Sequence, residues 1–212
     1  MVYAPVKVCR NIALVAGILF LCLMLGITVS PRISLEITVA RWFQMHRVPW
    51  LVTTMAVVSF MAVQGAAIGV VLAGSIFWRL RWGLAARLVV GTYVSSMATC
   101  MALKILINRP RPTDLLTGGT GGSFPSANVV SCLAFWGAVF ALTVLSQRDR
   151  WWHAALLLLS GLLILLSGPA RVYVGDHWVS DVVGGYLFGG MMLALGVWLY
   201  LRASTKTPAR HA

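Results

Sequence analysis

Long apolar runs separated by short polar breaks make up most of the chain. They cover residues 11–29, 51–78, 83–107, 127–145, 154–168 and 178–201. Most approach or exceed the roughly 20 residues that a helix needs to cross the hydrocarbon core of a bilayer. The pattern predicts an all-α fold, a bundle of six transmembrane helices forming a single membrane domain over residues 1–212. The polar, proline-containing stretch from about 203 to 212 is expected to be a disordered basic tail. The first run follows Lys7 and Arg10 but lacks a clear small-x-small cleavage site, so it is read as a retained span rather than a signal peptide.

Composition agrees with this division. Of 212 residues, 59% are hydrophobic and 10% charged, and the mean hydropathy of +0.87 is too high for a soluble domain with a polar surface. Between the first two spans, ISLEITVARWFQMHRVPW mixes apolar residues with Glu36, Arg41, Gln44, His46 and Arg47. It is expected to lie flat in the outer headgroup layer, anchored by Trp42 and Trp50, with His46 as an interfacial polar group. His153 is assigned to a cytoplasmic loop, without chemistry. Cys9, Cys22, Cys100 and Cys132 are scattered, with no CxxC pair or metal-ligand spacing, and are read as packing residues. No metal or cofactor is expected.

The net charge of +12 suggests a nucleic-acid partner only until the charges are located. Six spans with both termini in the cytoplasm put Lys7, Arg10, Arg79, Arg81, Arg87, Arg148, Arg150, Arg202, Lys206 and Arg210 inside. Arg32, Arg41, Arg47, Lys104, Arg109, Arg111 and Arg171 fall on the other face. Three of that second set belong to a candidate site, and the remaining imbalance follows the positive-inside tendency. The chain is therefore expected in the cytoplasmic (inner) membrane, its basic excess meeting anionic lipid headgroups. No interleaved aromatic and basic stripe argues for nucleic acid.

Polar residues gather at three span ends, KILINRPRP, FPSAN and ARVYVGDHWVSD. The predicted topology puts all three on the non-cytoplasmic face. Each has an ordinary reading when taken singly. Lys104, Arg109 and Arg111 suit snorkelling anchors, Pro125 and Ser126 the first turn and cap of a helix. His177 and Asp181, at i and i+4, suit a structural hydrogen bond on one helix face. The loop GGTGGSFPSANVV places glycines, serines and backbone N–H groups ahead of an apolar helix, an arrangement suited to holding an anion.

In combination, the spacings resemble a known signature. Lys104, six residues, then Arg111 and Pro112; Pro125 and Ser126 after a glycine-rich loop; Arg171, five residues, then His177, three residues, then Asp181. This order is similar to the three-part motif of the type-2 phosphatidic acid phosphatase superfamily, which includes lipid phosphatases, lipid pyrophosphatases and vanadium haloperoxidases. The resemblance implies that Lys104, Arg111 and Arg171 surround a phosphoryl group, with Ser126 and the backbone near Ala127 as neutral donors and no metal required. It also implies that His177 attacks phosphorus to form a phosphohistidine, while Asp181 fixes the imidazole tautomer.

One residue departs from that pattern. The family's second motif usually reads Pro-Ser-Gly-His, whereas this chain has Pro-Ser-Ala-Asn, so that Asn128 replaces a general-acid histidine. An amide hydrogen-bonds but does not exchange a proton at useful pH, and general acid–base help is worth about 10²- to 10⁴-fold in rate. Ala170 likewise stands where the family often has serine. Four readings follow. The substrate is a lipid pyrophosphate, whose leaving group needs no proton; the phosphoryl group passes to an acceptor other than water; the chain binds lipid phosphate without cleaving it; or Asn128 is an introduced substitution that disables turnover. Asp176 adjoins His177, but consecutive helical residues point about 100° apart, which directs it away from the leaving group. The function expected is a lipid phosphatase or phosphotransferase acting on a lipid phosphate or pyrophosphate, with a polyprenyl pyrophosphate as first choice. A non-catalytic lipid-phosphate binder or transporter is the alternative. A haloperoxidase fits so apolar a chain less well.

Overall fold

The computed structural model describes residues 3–30, 34–112, 120–146 and 150–206. Seven helices account for most of them: α1 (Tyr3–Val29), α2 (Ser34–Met45), α3 (Pro49–Arg79), α4 (Gly83–Ile107), α5 (Ala127–Ser146), α6 (Trp151–Tyr173) and α7 (Val179–Lys206). All but α2 are long and apolar enough to cross a membrane, and the protein is a multi-pass integral membrane protein. Many leucines, valines and isoleucines of α1, α3 and α6 are exposed, as lipid-facing side chains must be when no water surrounds them. α7 is central, packing along α1 and against α5, while α6 packs against α3 and α5.

Several boundaries differ from the sequence expectation. α1 begins at Tyr3, so Lys7 and Arg10 lie within it, and α7 continues to Lys206. His153 belongs to the first turn of α6, where it is buried and stacked on Trp152. Gly118, Gly119, Arg148 and the tail from 207 to 212 lie outside the described residues.

The most consequential difference is at α6, expected to end at residue 168 and instead running to Tyr173 through Pro169. Proline has no N–H to give the carbonyl four residues earlier, here Leu165, and normally breaks or kinks a helix there. Tyr186 of α7 supplies the missing donor. Its hydroxyl is shared between the carbonyls of Ile164 (2.7 Å) and Leu165 (3.1 Å), and accepts from Gly168 N (3.1 Å). The added turn carries Arg171 beyond the apolar run and toward the start of α7.

α3, α4 and α5 each contain one wider π-helical turn, at Met61–Gly65, Arg87–Gly91 and Leu133–Gly137. The indole Nε1 of Trp136, in the third of these, donates to Met61 O in the first (3.1 Å), satisfying a carbonyl that the wide turn loosens. Near the start of α5, Phe124 is fully buried, stacked on Phe20 of α1, which also meets Phe188 of α7. Gly185 of α7 lets that segment approach closely: a Cβ there would lie 2.9 Å from Val129 Cβ and 3.0 Å from Ser126 O.

Replacing Tyr186 with phenylalanine leaves the Leu165 carbonyl without a donor in an apolar setting, a loss of roughly 1–3 kcal/mol. Thermal unfolding in detergent should show a melting temperature lowered by several degrees for Tyr186→Phe. An unchanged value would mean that α6 tolerates Pro169 without help from α7.

Candidate active site

The polar span ends meet at one end of the bundle. α4 closes at Asn108, whose left-handed backbone (φ 41°) and N–H bond to Lys104 O (3.0 Å) turn the chain out of the helix. Asparagine tolerates this conformation better than most residues with a side chain. The turn sends Arg109 inward, where it is 2% exposed. Its guanidinium donates to Asp181 Oδ1 (2.6 Å), Ser180 Oγ (2.7 Å) and Glu36 Oε2 (2.8 Å). Glu36 also accepts from the backbone N–H of Ser180 (2.6 Å). The following loop is stitched to the same unit: Ser123 N donates to Arg109 O (2.8 Å) and Trp178 Nε1 to Pro110 O (2.9 Å).

At its other side, α6 ends in a Schellman turn. Gly175 takes φ 79°, its N–H bonds Val172 O (3.0 Å), and Asp176 N bonds Arg171 O (3.0 Å). Gly175 suits this position because a Cβ strains a left-handed backbone. The turn folds Asp176 back onto the residue it follows by five, and the Asp176 carboxylate pairs with Arg171 Nη2. Its other oxygen lies 3.2 Å from Arg111 Nη1, which also donates to the Asp176 carbonyl (2.9 Å). Arg111 is further fixed by the carbonyls of Gly121 (3.1 Å) and Thr120 (3.2 Å).

His177 lies in the bend between α6 and α7, not on a helix with Asp181 as expected. Asp181 is in the first turn of α7, and its Oδ2 accepts from Trp178 N (2.9 Å), capping the helix start. The four-residue spacing nevertheless brings His177 Nδ1 to 3.5 Å from Asp181 Oδ2. Nε2 then faces the other way, 3.9 Å from the Asp176 carboxylate. Because both residues occupy a bend, the 100° helical offset does not separate Asp176 from His177, and the sequence reading of Asp176 is corrected on that ground.

The second motif closes the cluster. Ser126 precedes α5 in an extended conformation, and its N–H donates to Asp181 O (3.0 Å). Its hydroxyl is buried, with no hydrogen-bond partner among the described residues. Ala127 opens α5. With its amide oxygen turned to Arg171, Asn128 accepts from Nε (2.5 Å) and Nη2 (3.0 Å); the reverse orientation would set N–H against N–H. Lys104, on the last turn of α4, makes long contacts of 3.4 Å to the carbonyls of Ser123 and Pro125. The structure thus brings together Arg111, Asn128, Arg171, His177 and Asp181, with Ser126 joined through its backbone and Lys104 beside them.

Burial controls the electrostatics. His177 is 2% exposed, and desolvation pushes its pKa down to about 4. Asp181 opposes that shift, while Lys104 and Arg111 reinforce it. The imidazole is neutral at pH 7. Burial also lowers the pKa of Arg111, against the pull of Asp181, though a guanidinium remains charged at physiological pH. Cavities of about 640 and 1090 Å³ lie near the opposite helix ends, lined by Arg81, Arg87 and Tyr200 and by Trp78, Arg79 and Arg87. Among the described residues no carboxylate or imidazole lines either, and the described acids all gather in the cluster above.

Glu36, Arg109, Asp176 and Ser180 were not expected here. Glu36 was assigned to a surface segment in the headgroup layer, yet it is 6% exposed and bonded to the site. A signal was available in the scarcity of acids. The chain has five, Glu36, Asp114, Asp149, Asp176 and Asp181. Three of them meet in this cluster, and the other two lie outside the described residues.

With the geometry in place, the chain can be set beside known proteins. The PAP2 superfamily model matches residues 85–205. Phosphatidylglycerophosphatase B of Bacillus subtilis (strain 168) is 27% identical over 186 residues, covering 83% of this chain and 88% of that protein. The crystal structure of a transmembrane PAP2-type phosphatidylglycerolphosphate phosphatase from Bacillus subtilis superposes with a TM-score of 0.77 at 20% identity. It covers 93% of this chain and 98% of the other. LpxE of Aquifex aeolicus gives a TM-score of 0.58 at 22% identity, over 78% and 96% of the two chains. These two structures establish a shared fold. The family match spans more than half of the sequence, including Lys104, Arg111, Ser126, Arg171, His177 and Asp181, and the chain belongs to the PAP2 superfamily.

Proposed function

We propose that the protein removes a terminal phosphoryl group from a membrane lipid through a phosphohistidine on His177. The observation that carries this reading is the position of Nε2, 3.9 Å from an oxygen that pairs with Arg171, on a carboxylate also 3.2 Å from Arg111. A phosphoryl oxygen bound in that position would set phosphorus within reach of the ring nitrogen. Arg111 and Arg171 would hold the equatorial oxygens with planar forks, and Lys104 would add a point charge. The buried Ser126 hydroxyl would find the acceptor it lacks.

In the first step Nε2 gives its lone pair to phosphorus and the bond to the leaving oxygen breaks. The Nδ1 proton stays against Asp181, which stabilises the charged ring. Water then attacks phosphorus, the P–N bond breaks, and orthophosphate leaves with the imidazole neutral again. The cationic side chains supply the charge stabilisation at phosphorus.

Asn128 favours a pyrophosphate substrate. It accepts from Arg171 and has no proton to give an alkoxide, whereas phosphate leaves without one. A polyprenyl pyrophosphate remains the first choice. A phosphatidylglycerophosphate-like monoester is the second, favoured by the relative 27% identical to this chain. Val179 and Val182, which flank Ser180 and Asp181, line an apolar groove of about 750 Å³ with Phe43, Ile164 and Val172. The lipid chain would lie there while its headgroup reaches His177. The charge distribution supports a cytoplasmic-membrane location with this site outside and both termini inside.

Phosphate release from a lipid pyrophosphate and a lipid monophosphate, without added metal, tests this reading. We expect pyrophosphate cleavage at least tenfold faster, its loss in His177→Ala, and a larger gain on monophosphate than on pyrophosphate in Asn128→His. Cleavage that survives His177→Ala would remove the nucleophile, and binding without cleavage of either lipid would leave a lipid-phosphate binder.

The low pKa of His177 sets the pH dependence. Protonation removes the attacking lone pair, so activity falls only as pH drops through the folded value. Corrected for substrate ionisation, kcat/KM should stay level from pH 7 to 5 and decline near pH 4. A decline centred near 6.5 would mean an imidazole of ordinary basicity.

Glu36 acts at a distance by holding Arg109 and, through it, Asp181. Glu36→Gln should lower kcat by roughly 10-fold or more, with KM little changed and the acid limb displaced. A change confined to KM would instead place Glu36 in substrate binding.

A further inference from the structure

One buried charge takes no part in the reaction proposed above. The Asp176 carboxylate is 3% exposed and stands among Arg111, Arg171 and His177 Nε2. It differs from the other two buried acids in what holds it. Asp181 and Glu36 each accept a backbone N–H, from Trp178 and Ser180, in addition to Arg109. The Asp176 carboxylate pairs with Arg171, and its Oδ1 approaches Arg111 without a hydrogen bond of its own. The backbone carbonyl of Asp176, in contrast, holds Arg111 independently of that side chain.

We propose that Asp176 is a resident counter-anion in the phosphate position, displaced by an incoming phosphoryl group and returning to expel orthophosphate. This rests on the reading that Arg111 and Arg171 bind the substrate phosphate. A carboxylate and a phosphate dianion in contact repel one another in a medium less polarisable than water, so the two do not share the site. While the site is empty, the carboxylate neutralises guanidinium groups that burial would otherwise destabilise. An anion must therefore bind the arginines better than Asp176 does. A terminal phosphate, with up to two charges and three free oxygens, meets that requirement. A phosphodiester has one charge and two free oxygens, and meets it poorly. Asp176 thus selects terminal phosphates against the diester headgroups that make up the surrounding bilayer.

Titration of the detergent-solubilised full chain with orthophosphate, orthovanadate and dimethyl phosphate tests the proposal without requiring turnover. Asp176→Asn should bind orthophosphate and vanadate about tenfold more tightly than the parent, equivalent to about 1.4 kcal/mol. It should also bind dimethyl phosphate measurably, and Asp176→Ala should shift in the same direction. A carboxylate that merely positions the arginines predicts the opposite, weaker binding in both variants, and that result would overturn the proposal. So would unchanged affinity, or failure of both variants to fold. Arg171→Ala separates the two readings. If it removes orthophosphate binding while Asp176→Asn does not tighten it, the pocket stands and the counter-anion falls. If Arg171→Ala binds as well as the parent, both fall.

Discussion

Charge that leaves water at the edge of a bilayer must be paired, and that requirement organises the polar end of this protein. Arg109 is the hub. It is almost wholly buried, and its guanidinium joins α2 through Glu36 to the start of α7 through Ser180 and Asp181. Removing one partner of such a buried set strands a charge in a poorly polarisable environment, which is far more damaging than the loss of one hydrogen bond. The imidazole of His177 depends on this arrangement at second hand. Asp181 faces Nδ1 from a position set by Arg109 and by the Trp178 N–H. The short helix α2, too short to span a bilayer, is thereby part of the site.

The six spans were legible because hydropathy and length are properties of single segments, and membrane helices satisfy their own backbone hydrogen bonds. The cationic residues and the His177–Asp181 pair were legible because their spacings form a recognisable set. What lay outside the reach of local pattern depended on partners distant in sequence. The end of α6 depends on Tyr186, whose hydroxyl satisfies a carbonyl that Pro169 abandons. Glu36 looks amphipathic and superficial until Arg109, 73 residues later, meets it. Asp176 was misplaced for a local reason. Helical geometry was extended back from α7 to His177 and Asp176, although both residues occupy the bend that follows the left-handed Gly175.

The likeness to other PAP2 proteins illustrates how fold and chemistry separate. A TM-score of 0.77 accompanies only 20% identity, so the same bundle is reached from widely different sequences. Lipid-facing positions tolerate such exchange because one aliphatic side chain meets acyl chains much as another does. The polar end has far less freedom, since each group there has a defined partner and direction. Asn128 illustrates that constraint. Its amide oxygen accepts two N–H groups of Arg171 and helps hold the guanidinium plane, a task that needs an acceptor rather than a titratable ring.

The bond between Tyr186 and the carbonyls beside Pro169 also bears on how a lipid reaches the site. It clamps α6 to α7 two turns below the bend that carries Asp176 and His177, so the helices that carry Arg171 and Asp181 are cross-linked beneath the site. A gap wide enough to admit a headgroup from the side cannot open between those helices without breaking the clamp. On its other side the site is walled by α2, where Phe43 meets Tyr173 of α6 edge to face and Glu36 accepts from Ser180 N of α7. Any displacement of α2 would disturb the Glu36–Arg109 pair and, through Arg109, the carboxylate that faces the imidazole, so a helix outside the membrane-spanning set bears on the geometry of His177.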